Sequence, residues 1–270
     1  MRPLNLEAFL ADHPVFSLQM LAAARGEASN LTGARNQLKH HLARGSIKAV
    51  ARGLFAAVPP GLDAKRFHPD PFLVAAAERP DGIFAYHSAL ELLGAAHSVW
   101  GECTMHCDRR RGPIEVGTTS ILFLSTPAPL RRHGLQNLGT RSVPHRVRQL
   151  VTTGSERSLV EGLRQPHRVG GLEELLEAMS GVPRLDFNLL QQVLEAYGER
   201  KLWAAVGWLT ERHREVWSTP DEFLEVCRDH ITKQSQYLVR GLRGGRLVQG
   251  WRLIVPENLS RRPEDHAADG

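Results

Sequence analysis

The chain has 270 residues, of which 42% are hydrophobic and 23% are charged. That much apolar material builds ordinary cores and excludes global disorder, and the length favours two or three compact units over one. No apolar run approaches the roughly 20 residues that span a bilayer, so we expect no membrane association and a cytoplasmic location. The three cysteines, Cys103, Cys107 and Cys227, do not form the pattern of a small secreted disulfide framework.

Positive charge is concentrated in two blocks of the sequence. The formal net charge is +5, and residues 1–68 hold nine Lys or Arg against four acids. Residues 101–150 hold eight Arg against three acids, so the other segments together are net acidic. Two basic blocks point to a polyanion such as nucleic acid, although well-solvated surfaces also carry such charges.

Residues 1–66 are predicted to form a winged helix-turn-helix domain. A short helix ends at Pro14, and a second helix begins at the N-cap Ser17. A third helix runs from about Asn30 to Arg44. Two short helices joined by a tight turn are typical of helix-turn-helix proteins.

The third predicted helix has one apolar and one polar face. Its apolar residues are spaced three and four apart, so they share a stripe that faces the core. They are Leu31, Ala34, Leu38 and Leu42. The opposite face and its flanks carry amide, imidazole and cationic groups that can bind base edges and phosphates. The DNA contacts predicted on this helix and its start are Ser29, Asn30, Thr32, Gly33, Asn36, Gln37, Lys39, His40 and Arg44.

A hairpin is predicted directly after this helix. Strands over 46–51 and 54–58 are joined by a tight turn at Arg52-Gly53. In a winged helix-turn-helix the long helix enters the major groove and the hairpin touches the backbone or the minor groove. We therefore predict that Lys48 and Arg52 also contact DNA.

Residues 67–154 are predicted to form a mixed α/β domain. Asp70-Pro71 begins an apolar helix, and a strand over 83–86 leads to a second helix with a Ser88/Glu91 capping box. Strands over 99–107 and 115–125 flank a loop with three consecutive arginines. The additional basic contacts predicted, to DNA or to an acidic protein surface, are Arg109, Arg110, Arg111, Arg131 and Arg132.

Residues 155–270 are predicted to be mainly helical and to pack on the middle domain. Apolar residues recur at three and four positions through four successive helices. The segment 219–222 (TPDE) is typical of a capping box with Pro at the first helical position. A terminal β-hairpin strand places Trp251, Leu253 and Val255 on one side. The fold class predicted for the chain is α+β.

Three groups of residues have the composition of reactive sites. Residues 103–107 (CTMHC) with His97 include zinc-ligand types, but strand alternation places 103, 105 and 107 on one face, as for buried thiols. Glu199-Arg200-Lys201, with Asp186 upstream, has a nuclease form but falls between two amphipathic helices. His87 and Ser88 are chain neighbours, which rarely face each other. We predict no enzyme activity, no metal site and no cofactor.

Eight pieces of the chain occur in an order and spacing that are specific only when taken together. They are the helix-turn-helix ending at Arg44-Gly45, 52–59 (RGLFAAVP), 70–75 (DPFLVA), 86–94 (YHSALELLG), 156–161 (ERSLVE), 170–178 (GGLEELLEA), 206–211 (VGWLTE) and 251–256 (WRLIVP). Over nearly the whole length, the chain resembles the AbiEi-type antitoxins of bacterial type IV toxin–antitoxin (abortive infection) systems.

The resemblance implies a protein with two roles. An N-terminal winged helix would repress its own operon by binding inverted repeats in the promoter, which would accommodate a pair of copies. The C-terminal portion would act as an antitoxin against a co-encoded nucleotidyltransferase toxin. This family often has Thr and Asp where the present chain has Ser158 and Glu161.

Other functions are compatible with the same residues. One is a winged-helix transcription factor whose C-terminal part senses a ligand or forms a dimer, with no toxin. Another is a metal-dependent nuclease that uses Glu199. A winged helix that only docks other proteins would also account for the first module.

Overall fold

The computed structural model describes residues 4–28, 31–109, 111–239 and 244–260. The chain has the mixed α+β fold that the sequence predicts. Its contacts group it into two compact units, each built from segments that are distant in sequence. The first unit comprises Met1–Phe84, Trp100–Ser125 and Ser142–Thr152, and the second comprises Ala85–Val99, Thr126–Arg141 and Thr153–Gly270. The three domains predicted from the sequence stay a prediction.

The first unit begins with short helices that alternate with short strands. In chain order these are α1 (Leu6–Asp12), β1 (Val15–Ser17), α2 (Leu18–Ala24), α3 (Leu31–Ala43), β2 (Ile47–Ala51) and β3 (Leu54–Ala57). The strands form an antiparallel sheet in the order β1-β3-β2. The predicted hairpin, β2–β3, is therefore confirmed. Strand β1 is an additional strand, and it pairs with the edge of β3 that faces away from β2.

A hydrophobic core fixes the orientation of α3. Ala34 and Leu38 are fully buried in a cluster that includes Phe16 and Leu21. The inward direction predicted for these two residues is confirmed. The prediction for Leu42 is wrong, since 36% of this residue is exposed in the last turn of the helix, beyond the core cluster.

The start of α2 is set by a side-chain cap. Ser17 Oγ accepts a hydrogen bond from the Met20 amide at 3.1 Å, which confirms the predicted N-cap. Ser29 and Asn30, predicted as the cap and first residue of the third helix, lie outside the described residues.

A helix and a six-stranded sheet follow in the first unit. Their bounds are α4 (Pro71–Glu78), β4 (Ile83–Phe84), β5 (Glu102–Cys107), β6 (Ile114–Val116), β7 (Thr119–Ser125), β8 (Thr140–His145) and β9 (Arg148–Thr153). The strand order is β6-β7-β5-β4-β9-β8. The single strand predicted over 115–125 is wrong, because a turn at Gly117, with a φ of +61°, folds this segment into the β6–β7 hairpin.

The predicted start of α4 and the predicted burial of the thiols in β5 are confirmed. Asp70 Oδ1 accepts hydrogen bonds from the Phe72 amide at 2.9 Å and the Leu73 amide at 3.2 Å. Strand β5 lies between β4 and β7, and both of its faces are buried. Cys103 and Cys107 are therefore buried thiols of the core.

The second unit is mainly helical, and it includes residues 155–260, for which the sequence predicts mainly helices. Its elements are α5 (His87–Leu92), α6 (Ala128–Arg132), α7 (Ser155–Arg164), α8 (Leu172–Ser180), α9 (Phe187–Tyr197), α10 (Arg200–Arg212), α11 (Arg214–Trp217), α12 (Asp221–His230), β10 (Gln236–Tyr237), β11 (Arg246–Val248), β12 (Leu253–Val255) and α13 (Glu257–Ser260). Helix α7 packs against α8, α9 and α10. The terminal hairpin is confirmed as β11–β12, and Trp251, Leu253 and Val255 are buried. The prediction that Trp251 shares a strand with Leu253 and Val255 is wrong, because a 3-10 turn over Gln249–Trp251 separates β11 from β12.

Two predicted capping boxes are wrong. Helix α5 begins after Tyr86, whose φ is +58°, so Ser88 lies inside the first turn instead of at the N-cap. Helix α12 begins after Pro220, and the Thr219 hydroxyl donates to the Thr210 carbonyl at 2.9 Å. At Thr219 a tertiary hydrogen bond therefore overrides the local sequence pattern.

Candidate nucleic-acid interface

The side of α3 opposite the core is a continuous polar face. Thr32, Asn36, Lys39 and His40 are all exposed, as the helical spacing predicts. Arg35 is exposed beside them, although the sequence prediction did not include it. Its position one residue after the buried Ala34 is the signal that could have placed it at the edge of this face. The helix thus presents one amide, one hydroxyl, one imidazole and two cations.

The connection between α2 and α3 is tied to α3 by an arginine. Arg25 Nη1 donates to Gln37 Oε1 at 2.6 Å, and Arg25 Nη2 donates to Glu27 Oε1 at 3.3 Å. Gln37 is half-buried at this contact. Gln37 is predicted to contact DNA, but its amide oxygen binds Arg25 and so supports the helix that carries the exposed face.

The β2–β3 hairpin ends in a tight turn that exposes a cation. Gly53 has a φ of +77°, which glycine adopts without steric cost, and Arg52 beside it is exposed. The Gly53 carbonyl accepts a hydrogen bond from the Leu18 amide at 2.8 Å, which anchors the turn to the start of α2. The turn therefore has a fixed position relative to the helices.

Lys48 occupies a different environment from Arg52. Its ammonium group donates to the Phe67 carbonyl at 2.6 Å and to the Lys65 carbonyl at 3.4 Å. Lys48 is half-buried as a result. This cation therefore fastens the segment after the hairpin to β2, and its predicted contact with DNA would have to use the remaining exposed part of the side chain.

The segment that contains α3 and the β2–β3 hairpin has positively charged side chains and no acidic ones. No Asp or Glu occurs between Glu27 and Asp63, and five Lys or Arg do. Burial, together with the positive charges of Arg44 and His40, lowers the pKa of His41. This shift favours the neutral form of the His41 imidazole, whose Nδ1 lies 3.2 Å from Ser46 Oγ.

The additional arginines predicted as basic contacts lie in both units. In the first unit Arg109 is exposed, Arg111 forms an ion pair with Glu78, and Arg110 lies outside the described residues. In the second unit Arg131 and Arg132 are both exposed on α6. Arg111 therefore has an intramolecular role on the first unit.

The residues considered for catalysis have structural partners. Glu199 Oε1 accepts from Arg164 Nε at 2.6 Å, and Asp186 caps α9 through the Leu189 amide at 3.0 Å. Glu199 lies between α9 and α10, where the sequence pattern predicts it. Each carboxylate thus has a partner that accounts for its position.

His87 is buried, with its ring nitrogens near three side-chain oxygen atoms. Nδ1 lies 2.9 Å from Glu91 Oε1, and Nε2 lies 3.2 Å from Ser98 Oγ. Glu174 Oε1, which accepts from the Ser98 amide at 3.2 Å, lies 3.6 Å from the same Nε2. This cluster fastens the segment after α5 to α8.

The described residues include no group of three or more His, Cys, Asp or Glu side chains placed to hold a metal ion. Within the same part of the chain, no helix combines the length and apolarity needed to cross a membrane.

Comparisons with known proteins identify a similar fold but no family. No protein-family model matches the chain, and no curated protein matches it. A solved structure, described as the crystal structure of the Rv2827c protein from Mycobacterium tuberculosis, is similar with a TM-score of 0.59 and 16% sequence identity. The similarity covers 93% of this chain and 89% of that one. At this level of identity it shows the fold alone.

Proposed function

We propose that this chain is a cytoplasmic DNA-binding transcriptional autorepressor that also acts as an antitoxin against a co-encoded nucleotidyltransferase toxin. The observation that carries the DNA-binding half is the exposed polar face of α3, with Asn36 and Lys39 on one side of a helix whose opposite side is locked into the core. Because the segment around it contains no acid, nothing on that segment repels a phosphate backbone.

The order of the first six elements supports the interpretation as a winged helix-turn-helix. In that arrangement α3 is the recognition helix and the β2–β3 hairpin is the wing. Helix α3 has 13 residues, and an α-helix with its side chains is about 10–12 Å across, which fits the B-DNA major groove of about 12 Å width. The exposed Arg52 at the hairpin turn then reaches the backbone or the minor groove.

The roles of the side chains follow from their chemistry. Asn36 can pair bidentately with adenine, and His40 can bind a base edge in the same groove. Lys39 and Arg52 neutralise phosphates, which sets affinity and salt dependence but carries no sequence information. Arg44, exposed after the last turn of α3, adds a third cation to this set.

The antitoxin half of the proposal rests on the resemblance to the AbiEi-type family. Three of its segments, 156–161, 170–178 and 206–211, form parts of α7, α8 and α10 in the second unit. A repressor with a second, larger unit has a surface with which to engage a partner while the first unit binds DNA. The role of this family in toxin control indicates that the partner is the co-encoded nucleotidyltransferase toxin.

The DNA-binding half is tested by fluorescence anisotropy with a duplex from the promoter of the chain's own gene. We expect Asn36→Ala to reduce the preference for this duplex over a scrambled one by about 5- to 150-fold, since a good bidentate pair contributes about 1–3 kcal/mol. His40→Ala should act in the same direction. Asn188→Ala removes an equally exposed asparagine from α9 of the second unit and should leave the preference unchanged.

Unchanged discrimination in both α3 variants would contradict the placement of this helix in the groove. Both side chains are exposed, so we expect each variant to keep the fold, and circular dichroism checks this.

The antitoxin half is tested in cells that express the neighbouring gene from an inducible promoter. We expect growth arrest on induction and rescue when this chain is expressed from a separate, unregulated promoter. Asn36→Ala should still rescue growth, because the DNA-binding face is not needed when repression plays no part. A neighbouring gene that is not a nucleotidyltransferase, or growth arrest without rescue, would exclude the antitoxin role.

A further inference from the structure

The first unit contains an open groove of about 820 Å³ whose apolar lining has no role in the proposed function. Its floor is made by apolar side chains of α1, of the segment after β3 and of α4, among them Leu10, Val58, Phe67 and Leu73. Pockets that hold small organic molecules have volumes of about 300–1,000 Å³ and mainly apolar walls with a few polar groups. The groove therefore has the size and lining of a small-molecule site.

Two arginines line the same groove. Arg44 comes from the end of α3 and has no ion-pair partner among the residues that the structure describes. Arg146 comes from the β8–β9 turn, where its Nε donates to Asp70 Oδ2 at 2.5 Å while 65% of the side chain stays exposed. An apolar groove with an unpaired guanidinium suits a hydrocarbon that carries one anionic group.

The acids in the lining do not cancel this preference. Asp70 Oδ2 also lies 2.9 Å from His145 Nε2, and the Arg146 guanidinium offsets its charge. Glu7 lies in the first turn of α1 and is exposed, so solvent screens its charge. Arg44 is thus the cation left for a ligand.

We propose that this groove binds a medium-chain carboxylate, with its hydrocarbon on the apolar floor and its carboxylate on Arg44, and that binding weakens the interaction with DNA. The second part rests on the proposed function, because Arg44 is also a predicted contact to DNA. A carboxylate and a phosphate then compete for one guanidinium. Thermodynamic linkage requires that bound DNA lower the affinity for the carboxylate by the same factor.

Isothermal titration calorimetry with octanoate and with octanol tests the site without DNA. We expect one octanoate per chain, bound about tenfold more tightly than octanol, because a hydrogen bond to a charged group contributes more than one to a neutral hydroxyl. Arg44→Gln should reduce octanoate affinity to that of octanol and leave octanol unchanged. Val147→Trp adds an indole to the lining at an exposed position and should weaken both ligands. Arg131→Gln, at an exposed arginine of the second unit, is the matched control and should change neither.

Several outcomes would overturn the site. They are the absence of binding heat at millimolar octanoate, equal affinity for octanoate and octanol, and unchanged octanoate affinity in Arg44→Gln. Self-association in analytical ultracentrifugation that blocks octanoate would also overturn it, because a second copy of the chain would then occupy the groove.

The coupling to DNA is tested separately with the promoter duplex. Saturating octanoate should weaken duplex binding by wild type about fivefold, and it should have no effect on Arg44→Gln. Octanoate binding without any duplex binding would remove the proposed function but keep the site. Duplex binding without octanoate binding would remove the site alone.

Discussion

The second unit contains a buried arginine, whose charge requires hydrogen-bond and ionic partners inside the protein. Arg157 is completely buried, and its Nε donates to Glu161 Oε1 at 2.8 Å. Its Nη1 donates to the carbonyls of Gln136 at 2.6 Å and Leu138 at 3.0 Å. The Tyr197 hydroxyl donates to the same Glu161 oxygen at 2.6 Å. Burial, reinforced by the Glu161 charge, raises the pKa of Tyr197 far above its ordinary value, so its phenol stays protonated as a donor.

This cluster predicts unequal costs of substitution. Arg157→Leu leaves a buried carboxylate without its cation and should lower the free energy of unfolding by about 3–5 kcal/mol. Tyr197→Phe removes one donor to that carboxylate and should cost about 1–3 kcal/mol. The double variant should cost less than the sum, because both side chains act on Glu161. Urea unfolding measures all three, and strict additivity would show that the two residues act independently.

At the scale of elements, α4 is joined to the β8–β9 turn through one carboxylate. Asp70 caps α4 with Oδ1, while Oδ2 is contacted by His145 and Arg146. Burial alone would raise the pKa of Asp70, but the hydrogen bonds from Arg146 and His145 outweigh it and lower the pKa overall. A carboxyl with a depressed pKa in the folded state contributes stability above its unfolded pKa, which is about 3.9.

Asp70→Asn tests this connection, because asparagine caps a helix as well as aspartate but carries no charge. We expect the variant to be less stable than wild type at pH 6. The difference should shrink as the pH falls below about 4 and through the folded pKa, because wild type then becomes protonated as well. Thermal unfolding from pH 2 to pH 7 measures it. A stability difference that stays constant over this pH range would show that the charge of Asp70 does not contribute to stability.

Elements with strong local signals could be predicted from the sequence, and elements that depend on distant partners could not. The spacing of Ala34 and Leu38 gave the inward side of α3, and the Arg52-Gly53 turn gave the hairpin. Strand β1 has three residues, and its pairing with β3 is set across more than 35 residues of sequence. Strand β8 contains Pro144 and lies at a sheet edge, where proline is tolerated but hard to anticipate.

The same distinction applies to the candidate site. Periodicity alone placed Asn36, Lys39 and His40 on the exposed face. It could not show that Gln37 is taken by Arg25, since that contact joins residues 12 positions apart in different elements. Hydrogen-bond partners outside a helix are set by the tertiary fold, which a helical pattern does not encode.

At the scale of the whole molecule, the chain leaves and re-enters each unit several times. Segments 85–99 and 126–141 belong to the second unit, although they interrupt the strands of the first. Basic residues follow this division, with Lys39 and Arg52 in the first unit and Arg131 and Arg132 in the second. The proposed function assigns DNA binding to the first unit, so the two sets should differ in their effect on duplex affinity.

The salt dependence of duplex binding separates these two sets in the full-length chain. Lys39→Ala and Arg52→Ala should each weaken binding to promoter and scrambled duplexes alike and reduce the slope of log K against log salt by about one, since each removes one phosphate contact. Arg131→Ser with Arg132→Ser removes two exposed charges and should leave the slope unchanged. A smaller slope in the double variant would place the second unit on DNA. If the slope holds but rescue from the neighbouring gene's product is lost, Arg131 and Arg132 belong to the partner surface, because the same substitutions then affect one role of the protein and not the other.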